Sequence, residues 1–187
     1  MLKILLAILT GLVGAGLLHL VIILALPYYS ERDAYSRVLR EGPSFEFHVL
    51  GPGRDPAGLG RTDPFLDIAV CAFDLDEGPV QLTASGEVPF WSLATFDAAS
   101  NETFSINDRT AVDDALDVIL ATPVQATRLR KAQAPTLAQS IIVETQQTQG
   151  YAVLRAMAPQ ASFRPQTSEF LNGAGCLPLS TAPQTSR

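Results

Sequence analysis

Apolar residues fill positions Ile4 to Leu26 with no Asp, Glu, Lys or Arg among them, and beyond that run the pattern changes to short alternating segments. The run, ILLAILTGLVGAGLLHLVIILAL, is about 23 residues long, so as an α-helix it reaches roughly 34 Å against a hydrocarbon core of about 30 Å. A small tilt absorbs the difference. Pro27 has no backbone N–H and disfavours helix at the residue before it, which predicts the helix end there. Tyr28 and Tyr29 follow, where aromatic rings favour the headgroup layer. The rival reading is a cleaved signal peptide with Lys3 as its charged start. The run is too long for an apolar signal core of about 7–15 residues, and the one small-residue cut candidate, Ala25-Leu26-Pro27, carries a large residue and a proline. The expectation is an uncleaved transmembrane anchor over residues 1–29.

Residues 30–42 read as a stem, with Glu31 to Glu41 helical. Residues 43–176 read as a β-rich domain. Ser44 to Leu50 alternates, with Phe45, Phe47 and Val49 on one face and Glu46 and His48 on the other. Gly51 to Asp63 is dense in Gly and Pro and reads as a long loop. Phe65 to Leu75 is apolar enough for a strand buried partly on both faces. Asp76-Glu77-Gly78-Pro79 is turn chemistry, and Val80 to Thr83 reads as the return strand of a hairpin. Val88 to Phe96 and Thr103 to Ile106 read as strands paired across a turn near Asp97 to Asn101, and Val118 to Leu120 as a short strand. Thr122 before Pro123 is an N-cap followed by proline at the first helical position, predicting a helix over Pro123 to Lys131. Ser140 to Glu144 and Tyr151 to Met157 read as strands joined by a polar turn. Arg164 to Leu171 reads as a short helix ended by Asn172-Gly173. Residues 177–187 read as a disordered polar tail. About seven short strands predict a mainly β fold, a β-sandwich or barrel-like antiparallel sheet with two or three short peripheral helices, beside the one N-terminal transmembrane helix.

Charge narrows the partner classes. The chain has 187 residues and a net charge of −6, which argues against nucleic acid. About 12 of the 19 acids lie between Asp63 and Asp117, with Arg109 the single base among them. A solvated rim of strand turns explains these acids better than a cation-binding face. Across the anchor, Lys3 stands against Arg32, Arg37 and Arg40, so the positive-inside count alone favours a cytoplasmic domain. The two cysteines, Cys71 and Cys176, bear on the same question. As a pair they would tie the C-terminal end to the central sheet and imply an oxidising compartment; as buried free thiols they would fit a cytosolic core. Residue types and spacing leave both readings open.

Catalytic material is sparse. Only two histidines and two lysines are present, and no nucleophile elbow, zincin, phosphate-loop or dinucleotide motif occurs. No cofactor or metal is implied. Asp74 to Gly78 resembles the start of a calcium loop, but Ser85 stands where the twelfth-position glutamate belongs. His48 and Glu46 share a strand face and read as an ordinary surface pair. Ser105 to Thr110 is the densest polar cluster: Asn107 and Asp108 suit a turn that bonds its own backbone, and Arg109 suits a carboxylate clamp. With Trp91 on a neighbouring strand, Asn107, Asp108 and Arg109 outline a candidate small-ligand or enzymatic pocket, the alternative to a non-enzymatic partner-binding domain. Inside the apolar run, Thr10, Gly11, Gly14 and Ala15 give small-xxx-small spacing and His19 is ionisable, a pattern suited to helix packing in the membrane.

Six stretches carry a resemblance: Thr62 to Leu66, Cys71 to Leu75 with Gly78-Pro79, Val88 to Ser92, Phe104 to Thr110, Gly150 to Arg155, and Phe170 to Cys176. Together they resemble a bacterial family known as domain of unknown function 1254, over roughly residues 60–176, with Val88 to Thr110 the most specific part. The anchor is similar to that of a short, single-domain branch. Longer members join this domain to a second β domain, domain of unknown function 1214, for which this chain is expected to have no room. The resemblance implies a separate membrane-anchored protein with that companion domain as partner, and no catalytic residues. Both cysteines fall in matching stretches, so it also favours the disulfide and a periplasmic domain on the inner membrane.

Overall fold

The computed structural model describes residues 2–51, 59, 63–111, 114–132 and 139–179, and for 27–33 the backbone alone. Residues 52–58 and 60–62 of the Gly- and Pro-rich loop, the Tyr28 and Tyr29 side chains, and the tail from 180 onward lie outside the described residues. The chain is mainly β, in two sheets, with one long N-terminal helix.

Helix α1 (Leu2–Glu41) is a single helix of 40 residues, roughly 60 Å long at 1.5 Å per residue. Its segment Leu2–Leu26 is long and apolar enough to cross a membrane, and none of that window is buried against the protein. Pro27 does not end the helix, contrary to expectation. A proline inside a helix costs one ladder bond, about 3 kcal/mol or more. The turns that follow find a compensating surface: Ala34, Tyr35 and Val38 pack on a sheet face, and Val38 is 1% exposed. The expected stem is therefore the docked end of α1.

The first sheet contains β1 (His48–Leu50), β2 (Leu66–Asp74), β4 (Trp91–Asp97), β5 (Glu102–Asn107) and β8 (Gln149–Met157), in the order β1-β2-β8-β4-β5, all neighbours antiparallel. The second contains β3 (Val80–Ala84), β6 (Leu116–Ala121), β7 (Ile141–Glu144) and β9 (Gly175–Pro178), in the order β7-β6-β3-β9. Alternation explains the first sheet. Ala69, Cys71 and Phe73 of β2, with Ala152, Leu154 and Ala156 of β8, face inward, where they meet Val80, Leu82, Val118, Leu120 and Cys176 of the second sheet in one core. Val70, Ala72, Ile68, Tyr151 and Val153 face outward, beneath α1. Burial on both faces is why β2 reads as a nearly continuous apolar run.

Several pairings differ from the sequence expectation. The turn at Asp76 to Pro79 joins no hairpin: β2 pairs with β1 and β8, while β3 pairs with β6 and β9. The turn passes the chain from one sheet to the other, held by Glu77 N–H to Asp74 O (3.2 Å) and Gly78 N–H to Leu75 O (3.2 Å). Likewise β7 and β8 lie in different sheets. β7 is parallel to β6, the exception to an antiparallel plan. A parallel neighbour needs a crossover, and α2 (Pro123–Ala132) supplies it. That helix starts with a reciprocal cap: Thr122 N–H donates to Gln125 Oε1 (2.9 Å) and Gln125 N–H to Thr122 Oγ1 (3.4 Å). The strand expected from Ser44 is shortened to β1, because Phe45 takes a positive φ of 65°. Phe45, Phe47 and Val49 nonetheless all pack on the inner core. At the other end, Leu177 and Pro178 extend β9 into the segment expected as tail. A 3-10 turn (Ala161–Phe163) leads into α3 (Arg164–Asn172), whose Phe170 and Leu171 close the core.

Candidate functional site

Cys71 lies at the centre of β2 and Cys176 in β9, and the two are joined as a disulfide with Cα atoms 6.6 Å apart. Both are essentially unexposed, at 0% and 1%. Because β2 and β9 belong to different sheets, the bridge crosses the sandwich and links its layers covalently.

The polar cluster at the end of β5 is a self-bonded turn. Arg109 N–H donates to Asn107 Oδ1 (3.1 Å) and to Asp108 Oδ1 (2.9 Å). Thr110 Oγ1 donates to Asn107 O (3.1 Å), and the Thr110 and Ala111 N–H groups share that same carbonyl at 3.0 Å. Asp108 N–H reaches back to Trp91 O at 3.2 Å, so Trp91 and the turn meet through the main chain. Their side chains diverge. The indole is 2% exposed, lies 6.3 Å from the Phe170 ring, and donates Nε1–H to Asp114 O at 3.3 Å. The Arg109 side chain is exposed, with no described residue bonded to its guanidinium. Trp91 thus fills core space, while the Arg109 side chain lies at the surface.

Other sequence candidates also have structural partners. His48 Nε2 lies 2.8 Å from Pro43 O, and its ring lies against Gly42, just past the end of α1. It fastens the helix end to β1. Asp74 accepts from Asp76 N–H (2.9 Å) and from Gln149 Nε2 (3.0 Å), as a crossover turn requires. Asp67 accepts from Thr167 Oγ1 (2.8 Å) and Arg164 Nη1 (3.4 Å), tying α3 to β2. Among the described residues no three His, Cys, Asp or Glu side chains converge on one point. Thr10, Gly11, Gly14, Ala15 and His19 lie on exposed helix, and nothing comes within 4 Å of a Cβ built on Gly11 or Gly14.

The feature that sequence reading missed lies beneath the docked end of α1. There Ala34 and Val38 face Leu50, Ile68, Val70 and Val153 across a cavity of about 210 Å³. The stacked rings of Phe96 and Tyr151, centroids 5.1 Å apart, form part of its wall, and among the described residues Arg155 is the one charged lining residue. Arg155 is half-buried, paired through its backbone with β2 and β4, and its guanidinium has no hydrogen bond or ion pair to a described residue. Nearby, burial first and the Asp74 carboxylate second push the Tyr35 phenol above its usual value of 10.0. The signal was present in the sequence as apolar residues on both faces of β2 and β8, since an outer face that apolar needs a cover.

No family model matches the chain, and no curated protein matches it. Among solved structures, the VPA0106 protein from Vibrio parahaemolyticus is similar with a TM-score of 0.61 at 16% identity, over 87% of this chain and 40% of that one. A putative uncharacterized protein from Burkholderia cenocepacia matches with a TM-score of 0.49 at 13% identity, over 82% of this chain and 43% of that one. The chain thus spans about two fifths of the length of each. The first likeness shows a shared fold.

Proposed function

We propose that this is a single-pass inner-membrane protein whose periplasmic β-sandwich binds a companion β domain carried by a separate anchored protein. In this reading it belongs to the short branch of the domain of unknown function 1254 family and is not an enzyme. The observation that carries it is one of proportion. The fold recurs in a chain of which this protein covers only 40%, so there the same sandwich is built beside further chain. A fold whose relatives adjoin more protein is suited to dock a partner in trans. The disulfide supports an oxidising compartment, since such bridges are rare in the cytosol. That outweighs the arginines on the domain side of the helix, which are interleaved with acids. The stripe of Thr10, Gly11, Gly14 and Ala15, with His19, supports helix–helix contact within the bilayer.

Two experiments test this. Membranes solubilised in mild detergent should yield the tagged protein together with a second anchored protein of β-domain type. Recovery as a lone monomer defeats the partner reading. Protease added to intact spheroplasts should degrade the domain, and non-reducing gels should show the bridged form. A protected domain whose thiols alkylate freely would place it in the cytoplasm.

A further inference from the structure

The cavity beneath α1 combines three properties that single it out. Its walls are aliphatic and aromatic, with Val38, Val70, Val153, Phe96 and Tyr151 among them. Among the described residues that line it, Arg155 alone is charged, and its guanidinium has no described partner. And one wall is the helix that leaves the apolar segment at Leu26, eight residues before Ala34, roughly 12 Å along the axis. At about 210 Å³ it is smaller than the roughly 300–1,000 Å³ of pockets for drug-sized ligands. A single unbranched chain fits that space better than a ring system.

We infer that this cavity binds a fatty acid drawn from the adjoining membrane, its acyl chain between α1 and the sheet and its carboxylate on the Arg155 guanidinium. The guanidinium fork matches a carboxylate bidentately, and a chain slotted against stacked rings replaces water on apolar surface. The sandwich core is filled and bridged elsewhere, so occupancy acts on the joint between helix and domain and not on the fold itself. The inference rests on α1 being a membrane anchor.

The test uses the full-length protein in lipid nanodiscs and a fatty acid carrying a photoreactive diazirine midway along its chain. After illumination, the labelled peptides are mapped by mass spectrometry. Labelling of Leu2 to Leu26 reports contact of the anchor with the bilayer and serves as the internal reference. Label is expected on peptides containing Val70 or Val153, competed by unlabelled decanoate and not by decanol. Arg155→Gln should lower that labelling by about tenfold, the worth of one charged hydrogen-bond pair. Val153→Trp, which fills the space, should abolish it while the bridged form persists on non-reducing gels. Label confined to Leu2 to Leu26 overturns the cavity and leaves the anchor intact. Absence of label from Leu2 to Leu26 overturns the anchor, and the site with it. Equal labelling in wild type and Val153→Trp also overturns the site.

Discussion

Gly150 shows how little space the first sheet leaves. A Cβ at this position would overlap the Phe96 carbonyl oxygen and lie 2.8 Å from Phe73 Cζ. Gly150→Ala should therefore destabilise the domain by about 1–3 kcal/mol, the usual cost of overpacking. Gly51→Ala, with nothing within 4 Å of its Cβ, is the control and should stay within about 0.5 kcal/mol in urea unfolding. Arg109 belongs with the control. Its backbone closes the turn but its guanidinium is exposed, so Arg109→Ala should fold normally with a midpoint near wild type. A large loss of stability would restore the carboxylate clamp. Residue chemistry was legible where it was local: the Asn107 and Asp108 turn forms as their side chains dictate. The place of Trp91 was not legible, since an indole serves a core or a pocket equally until its neighbours are known.

Elements were legible to the extent that neighbouring residues decide them. Paired β4 and β5, the capped start of α2 and the end of α3 at Gly173 all follow short-range rules. The failures are long-range. Nothing local distinguishes a turn that closes a hairpin from one that hands the chain to another sheet, as between β2 and β3. Nor does Pro27 reveal that Val38, eleven positions on, will dock and sustain the helix. That docking carries a pH signature through Tyr35, whose phenol is held above its usual value of 10.0 by burial and by Asp74. Below pH 10 both folded and unfolded chains keep the proton, and stability is unaffected. Above it the unfolded chain ionises first, so the undocked state gains and docking weakens. Hydrogen exchange of residues 34–41 should accelerate as pH rises through and beyond 10, after correction for intrinsic rates, and less so in Tyr35→Phe. An equal pH response in both proteins would remove Tyr35 as the cause.

At the scale of the molecule, the class was legible and the layering was not. Apolar alternation predicted a sandwich-like β fold, while the membership of each sheet depends on contacts far apart in sequence. The bridge between the layers is expected to add to global stability. Closing a loop of 105 residues contributes about 4–5 kcal/mol in the chain-entropy model, and losing a native bridge commonly costs 2–5 kcal/mol. The double variant Cys71→Ala, Cys176→Ala should therefore lower the midpoint of thermal unfolding, and wild type under strong reductant should approach it. A midpoint unmoved by both treatments would mean that the sandwich holds its layers without the sulfurs.

The same bridge determines how the protein bears load. A pull between the apolar end of α1 and Leu179 enters at Cys176, crosses the sulfurs to Cys71, and bypasses the chain between them. Without the bridge those residues could lengthen by roughly 350 Å once unravelled, at 3.3–3.6 Å each. With it, the ring stays closed, and the stretch from Glu41 to Cys71 extends by roughly 100 Å, with only the few residues from Cys176 to Leu179 beyond it. Under tension the domain therefore behaves as a short tether with a closed ring hung on it, and most of its strands never feel the force.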